Sequence, residues 1–265
     1  MKLFGKEMNF FKKKQEEDKK RAAVLGRFLD FASKEAYNLL RTNILFSIAD
    51  KQGKGKVIGI TSSIPHEGKS YTAINLAYSL AKEGHKTLLI SADMRKPSIE
   101  NTIGIKPKFG LSSILVGEEG DAVIPSGLHD NLMLLPAGII PPNPSELLGT
   151  ERMKDLLDKC AEEYPYVIVD LPPVNVVADA LVVSKFLDGI VVIVRHGMTR
   201  RKELVEAIKK LKYVQAHILG IVYNGYNHGR GKNYKGSYYK KYGYKKHYSS
   251  YYYKDSKENK NKENK

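Results

Sequence analysis

Through the middle of the chain, short apolar, β-branched runs alternate with stretches whose apolar positions recur at helical spacing. The runs predict strands at Val57–Thr61, Thr87–Ser91, Leu132–Leu135, Val167–Asp170, Ile190–Arg195 and Ile218–Tyr223. Several are almost wholly apolar, as parallel strands covered on both faces must be. Helical patterns follow at Ser70–Glu83, Pro144–Glu163, Ala178–Leu187 and Thr199–Tyr213. Strand–helix alternation with crossovers of this length predicts an α/β fold: a doubly wound, mostly parallel sheet with helices on both faces. Ahead of the first strand, Phe28, Phe31, Ala32, Ala36, Leu39, Leu40 and Ile44 recur at helical spacing. They predict an amphipathic helix between Phe28 and Ile48, joined to the first strand by the loop Asp50–Gly55.

The pattern stops at both ends. Residues 1–27 read as a flexible basic arm, residues 28–228 as the folded domain, and residues 229–265 as a disordered tail. The tail holds nine tyrosines: Tyr234, Tyr238, Tyr239, Tyr242, Tyr244, Tyr248, Tyr251, Tyr252 and Tyr253. Leu, Ile, Val, Phe and Met are absent from it, so it has nothing with which to build a core.

Charge follows the same division. Of the net +15, the tail accounts for +9, from twelve Lys or Arg against three acids, leaving +6 for the other 228 residues. A basic tail suits nucleic acid, anionic lipid or an acidic partner, and charge alone does not choose among them. The single cysteine, Cys160, rules out an internal disulfide and points to a reducing compartment. No apolar run approaches the roughly 18–20 residues of a membrane span, and no secretory h-region follows the N-terminal lysines. A cytoplasmic protein is expected, held at a membrane only through another protein.

The chemistry concentrates where the first strand ends. Ser63-Ile64-Pro65-His66-Glu67-Gly68-Lys69-Ser70 follows that strand directly and opens a helix, the setting in which backbone N–H groups and a helix N-terminus wrap phosphates. Gly68 would allow close approach to a phosphate, Lys69 would reach the β and γ oxygens, and the Ser70 hydroxyl would ligate Mg²⁺. Ser63 stands where the usual motif has its first Gly; Glu67 and Tyr71 flank the Gly-Lys-Ser core and join the expected nucleotide-binding set. Asp170 ends its strand, and Asp93 lies just beyond another. A carboxylate at the C-terminal end of a parallel strand faces the ligand crevice, so each is a candidate for Mg²⁺ and catalysis, although a strand-end Asp is often only a cap. Asn224, after the last strand, either contacts adenine or caps the strand end.

These segments resemble the bacterial tyrosine kinases that regulate capsular and extracellular polysaccharide synthesis. Ser63–Ser70 corresponds to Walker A, Leu88–Pro97 to a second Walker-A-like segment, and Val167–Pro173 to Walker B. Pro141–Leu148, the Glu35…Arg41-Thr42-Asn43 helix and the terminal tyrosines complete the resemblance. It implies a P-loop kinase domain that binds ATP and Mg²⁺, with Lys69, Asp93 and Asp170 as catalytic residues and the tail tyrosines as phosphoacceptors. It implies a ring of unphosphorylated subunits, an octamer among the expected sizes, with Glu35, Asn38 and Arg41 at the interface. It also implies a transmembrane co-polymerase-like activator and a cognate tyrosine phosphatase, with no nucleic-acid partner.

Two positions depart from the family pattern. Ser91 replaces the first of two acids in the second Walker-like segment, and Asn38 replaces the middle arginine of Glu-x-x-Arg-x-x-Arg. The rival reading is a MinD/ParA-type ATPase switch, which calls for a lysine five residues before Lys69; Ile64 stands there.

Overall fold

The computed structural model describes residues 25–48 and 54–226, and no helix among them is long and apolar enough to cross a membrane. Of the basic arm expected over residues 1–27, residues 1–24 lie outside the described residues, as do the nine tail tyrosines. A 3₁₀ turn, Gly26–Phe28, precedes helix α1 (Phe31–Ser47). Then come β1 (Lys56–Ser62), α2 (Lys69–Lys82), β2 (Thr87–Ser91), α3 (Ile99–Ile103), α4 (Leu111–Val116), β3 (Ile124–Pro125) and β4 (Leu132–Leu135). The second half runs α5 (Pro144–Leu148), α6 (Glu151–Glu163), β5 (Tyr166–Asp170), α7 (Asp179–Val183), β6 (Gly189–Arg195), α8 (Arg201–Tyr213) and β7 (Ile218–Asn224).

The seven strands form one sheet in the order β3-β4-β2-β5-β1-β6-β7, parallel except for the β3–β4 pair. Its strands bury alternate residues on opposite faces, which is why they read as unbroken apolar runs. Val57, Leu88, Ile90, Val167, Val169 and Val192 pack with Met153, Leu157 and Cys160 of α6 and Ala207 and Leu211 of α8. Ile58, Ile60, Leu89, Ile168, Val191 and Ile193 pack on the other face against Ala73, Ile74, Ala77 and Leu80 of α2. Each such fully buried aliphatic side chain contributes about 1.5–3 kcal/mol. Register places the C-terminal ends of three strands side by side, with Ile60 beside Asp170 and Asp170 beside Ser91.

The expected doubly wound sheet is observed, with local differences. The single helix expected over Pro144–Glu163 divides at Gly149, where an added Cβ would meet Val182 Cγ1 at 2.9 Å and the chain must bend past α7. The helix expected over Ala178–Leu187 shortens to α7 and a 3₁₀ turn, Ser184–Phe186. Helices α3 and α4 and the edge strand β3 are too short to show periodicity in the sequence. The first helix starts at Phe31, because the Asp30 side chain accepts the Ser33 N–H at 2.7 Å and caps it. Its apolar set is not one buried face: Ile44 is buried, whereas Phe28, Phe31 and Leu39 are exposed.

Candidate functional site

Between β1 and α2 the backbone turns through the loop Ser63–Gly68. Two residues there take left-handed conformations, His66 at φ 68° and Gly68 at φ 93°. A Cβ on Gly68 would come within 2.2 Å of Asn224 Nδ2, so both conformation and space demand glycine. Ser63 is buried and its Oγ has no hydrogen-bond partner. Such an orphaned hydroxyl inside a loop of this shape fits a bound anion.

Lys69, the first residue of α2, places its ammonium between two carboxylates. Nζ lies 2.8 Å from Asp93 Oδ2 and 3.5 Å from Asp170 Oδ1, and it also donates to Ser70 Oγ at 3.2 Å. Ser70 Oγ in turn donates to Asp170 Oδ2 at 2.6 Å. Asp93 Oδ1 accepts the Lys96 N–H at 3.1 Å, which ties the catalytic candidate to its own loop. The structure thus gathers Lys69, Ser70, Asp93 and Asp170 at one point beyond β1, β2 and β5. All four are largely removed from water.

Burial sets the electrostatics. Complete burial pushes the Asp170 carboxyl up to about 6, against the pull of Lys69 and the Ser70 hydroxyl. For Lys69, burial alone would disfavour the ammonium, but Asp170 and Asp93 outweigh it and hold its pKa above the ordinary lysine value. The lysine stays charged. A hydroxyl and two carboxylates are hard oxygen donors of the kind Mg²⁺ accepts, with substrate phosphates and water completing the shell. The set therefore fits a magnesium–nucleotide: Ser70 and the carboxylates could hold the metal and Lys69 could reach the phosphates.

Behind the loop stands a second layer, of which sequence reasoning named Glu67 and Asn224 and missed Thr199 and Arg195. Glu67 is wholly buried; its carboxylate accepts the Ile64 N–H at 2.9 Å and the Thr199 hydroxyl. That side chain braces the loop from within, so of the expected nucleotide-binding residues Glu67 could offer a nucleotide only its backbone. Thr199 Oγ1 also accepts the Arg195 N–H at 2.8 Å, and Arg195 Nη1 donates to the His66 carbonyl at 3.2 Å. Asn224 Nδ2 donates to the Glu67 carbonyl at 2.8 Å, so its amide joins the end of β7 to the loop. Tyr71, on α2, is half-buried against the core on that face of the sheet. On the far side, Arg95 holds the buried Asp179 at 3.0 Å and donates to Ser145 Oγ at 2.9 Å, linking the segment after β2 to α5 and α7. The signal for Arg195 and Thr199 lies only in their place at and just past the end of β6, next to β1, which topology reveals and spacing does not.

The expected interface residues sit on α1, away from the carboxylates. Asn38 Nδ2 donates to Glu35 Oε1 at 3.1 Å within that helix. Arg41 turns inward, donating to Ser79 O and Oγ at 3.0 Å and pairing with Glu83 at 3.1 Å. Here it fastens α1 to α2 of the same chain.

Known proteins resemble this chain in sequence and fold. Residues 55–219 match the family model described as AAA domain. The chain is 38% identical to the tyrosine-protein kinase YwqD of Bacillus subtilis over 72% of this chain and 80% of that one. It is 34% identical to the tyrosine-protein kinase CpsD of Streptococcus pneumoniae serotype 4, over 76% and 88%. Among solved structures, the kinase domain of the Escherichia coli tyrosine kinase ETK superposes with a TM-score of 0.70 at 31% identity, covering 78% of this chain and 80% of that one. The chimerical protein CapA2B2 gives 0.70 at 34%, covering 77% and 89%. A plasmid partition protein from Borrelia burgdorferi, at 24% identity and a TM-score of 0.51, shares the fold alone. With its nucleotide-type P-loop and two carboxylates gathered on one lysine, and with this identity over most of its length, the chain belongs to the bacterial tyrosine-protein kinases.

Proposed function

We propose that this kinase transfers the γ-phosphoryl group of MgATP to tyrosines of residues 229–265, in trans between subunits, and so regulates polysaccharide synthesis. The observation that carries the reading is Lys69, held between Asp93 and Asp170 where three strands end. Phosphoryl transfer through a loose transition state depends on positioning and charge neutralisation, and this cluster supplies both. Ser70 and Asp170, already joined at 2.6 Å, are the side chains that would hold Mg²⁺, which would supply positive charge against the charge developing on the phosphates.

The lysine does more than bind. When its ammonium turns to the phosphate oxygens, Asp93 loses its cation and Oδ2 is released. An attacking tyrosine arrives protonated, since its ordinary pKa is near 10, and the freed carboxylate accepts that proton or orients the hydroxyl. Nucleotide arrival and base exposure are then one event.

Subunits would assemble through α1 into a ring, a transmembrane activator would hold the kinase at the membrane, and a tyrosine phosphatase would reset it. Each phosphotyrosine adds about −1.5 to −2, so roughly five or six cancel the tail's +9 and weaken its hold on an acidic crevice. Incubation with MgATP followed by mass mapping tests the reading, with Lys69→Met as control: phosphate appears on tail tyrosines in the parent chain alone. ATP hydrolysis without phosphotyrosine, even with an activator present, overturns it. Equal sedimentation of phosphorylated and unmodified protein overturns the charge switch.

A further inference from the structure

At the end of the sheet opposite the crevice lies a cavity of about 280 Å³. The segment before β1, helix α6 and the 3₁₀ turn Ser184–Phe186 surround it. Gly55 lets these pieces close up: a Cβ there would come within 1.9 Å of the Tyr164 carbonyl oxygen, and its own N–H donates to Ala161 O at 2.7 Å. Leu157, Phe186 and Leu187 give the cavity an apolar lining, and Lys54, Lys154 and Lys185 line it with them. Two acids are present as well. Asp188 is tied to the frame, its Oδ2 accepting the Val57 N–H at 2.7 Å, whereas Asp158 is met by Lys54 only at 3.9 Å.

None of the three ammonium groups has a close counter-ion. Lys54 is 3.6 Å from Glu162, and Lys154 is 3.5 Å from Glu151 on its own helix. Lys185 forms no ion pair among the described residues; its Nζ stands 4.6 Å from the centroid of the Phe186 ring. Long pairs between exposed groups contribute little to stability, so folding does not account for three lysines around one cavity. A ring bearing a strong anion answers both the apolar lining and the charge. The volume is just below the roughly 300–1,000 Å³ of pockets for drug-sized ligands, which suits one aromatic side chain better than a nucleotide. Beside the cavity, Asp155, Asp158 and Glu162 recur at helical spacing along the exposed side of α6, a strip that suits a cation next to the ring. The tail carries that order four times: Tyr234-Lys235, Tyr239-Lys240, Tyr244-Lys245 and Tyr253-Lys254.

We propose that this cavity binds a phosphotyrosine followed by lysine, presented by residues 229–265 of a second copy of the chain. The ring lies against the apolar lining, the phosphate meets Lys185, Lys54 and Lys154, and the following lysine meets the acids of α6. A phosphate makes charge-assisted hydrogen bonds to ammonium groups that the unmodified hydroxyl does not. The proposal rests on the kinase reading, which supplies the phosphotyrosine, and adds a place for its product. In a parallel α/β sheet, substrates enter at the carboxyl ends of the strands, and this cavity lies at the amino ends. A tyrosine held here is kept away from the crevice.

The test uses the unphosphorylated full chain and a synthetic peptide of residues 240–248, phosphorylated at Tyr244 or unmodified, with binding followed by calorimetry. A saturating non-hydrolysable ATP analogue with Mg²⁺ keeps the peptide's phosphate out of the crevice. The phosphopeptide should bind at least about tenfold more tightly than the unmodified peptide, the scale of one charge-assisted hydrogen bond. Inorganic phosphate alone should bind at least about tenfold more weakly than the phosphopeptide. Lys185→Glu and Lys154→Glu change exposed side chains, so both should melt with the parent while each loses about tenfold in phosphopeptide affinity. Equal binding of the two peptides, full affinity in both variants, or phosphate binding as tightly as the phosphopeptide overturns the proposal. A tail that becomes phosphorylated under MgATP while the phosphopeptide fails to bind leaves the kinase reading standing and sinks this one. A phosphopeptide that binds while the parent makes no tail phosphotyrosine sinks the kinase reading and removes the tail as occupant.

Discussion

The crevice and the outer side of α1 invert the ordinary distribution of residues. At the crevice, Lys69, Asp93 and Asp170 are charged groups withdrawn from water. On α1, Phe31, Leu39 and Phe46 are apolar groups left in it, at 75%, 62% and 79% exposure. Buried charges persist only when each has a partner, so every member of the crevice depends on the others. The exposed apolar groups are covered by none of the other described residues. The difference teaches where each region's energetics are completed: the crevice among its own side chains, the outer side of α1 by none of the other described residues.

The comparison breaks first at Lys69. Replacing it with methionine removes the cation from two buried carboxylates and the phosphate ligand from the site. Tyrosine phosphorylation should fall by about 10²–10³-fold or more, the scale of losing one transition-state donor. Stability should fall too, by about 3 kcal/mol at pH 8, because Asp93 and Asp170 then face each other without compensation. The parent's Lys69 contribution is complete at neutral pH and disappears only at strongly alkaline pH, as its raised pKa is passed. In Lys69→Met the deficit should shrink below about pH 5, where Asp170, already pushed up to about 6, takes a proton. Urea unfolding at the two pH values reads this, and a pH-independent deficit contradicts the coupled-charge account.

Asp170 gives the opposite sign. Its native pKa of about 6 exceeds the unfolded value of 3.8, so between those values the native state holds more protons than the unfolded chain. Stability attributable to this group therefore declines as pH rises from about 4 to 6. Asp170→Asn should abolish kinase activity yet stabilise the nucleotide-free protein by about 2 kcal/mol at pH 7.5, with no gain below about pH 4. Activity and stability moving in opposite directions would mark the carboxylate as kept for chemistry.

How these two regions were legible in the sequence differs in the same way. Lys69, Asp93 and Asp170 could be found because each follows a predicted strand, and strand ends converge in a parallel sheet. Glu67 was visible as a loop residue, but its inward role depends on Thr199, which comes 132 positions later and meets it only through strand order. The length of Pro144–Glu163 was misjudged because Gly149 bends against Val182, a tertiary contact that local periodicity does not register. On α1, periodicity gave the helix but not which apolar positions are buried, since helical spacing alone does not say what covers a stripe.

A smaller effect belongs to the junction between the regions. Arg41 is mostly buried at 15% side-chain exposure, while its ionic partner Glu83 is half exposed at 51%. The bonds to Ser79 should matter more than the ion pair. Arg41→Ala is expected to cost about 1–1.5 kcal/mol, and Glu83→Ala less than about 0.5 kcal/mol, in thermal or urea unfolding. Equal losses would make the surface ion pair the principal tie between α1 and α2.

The least effect on the single subunit should come from the outer side of α1, and that is what makes it diagnostic. At helical spacing Phe31, Leu39 and Phe46 fall on one side, near the exposed Glu35, with the buried Ile44 on the opposite side. Replacing all three with serine removes no buried contact, so each change should alter subunit stability by less than about 0.5 kcal/mol. Such a stripe is stable in water chiefly as a surface awaiting cover. If it carries the proposed ring contact, the triple variant should sediment as a monomer at concentrations where the parent assembles, with an unaltered melting temperature. Phosphorylation of the tail in trans should decline with it, whereas ATP affinity should not. Persistent assembly with the stripe removed would shift the contact to another face and leave the exposed apolar side of α1 without a role in the ring.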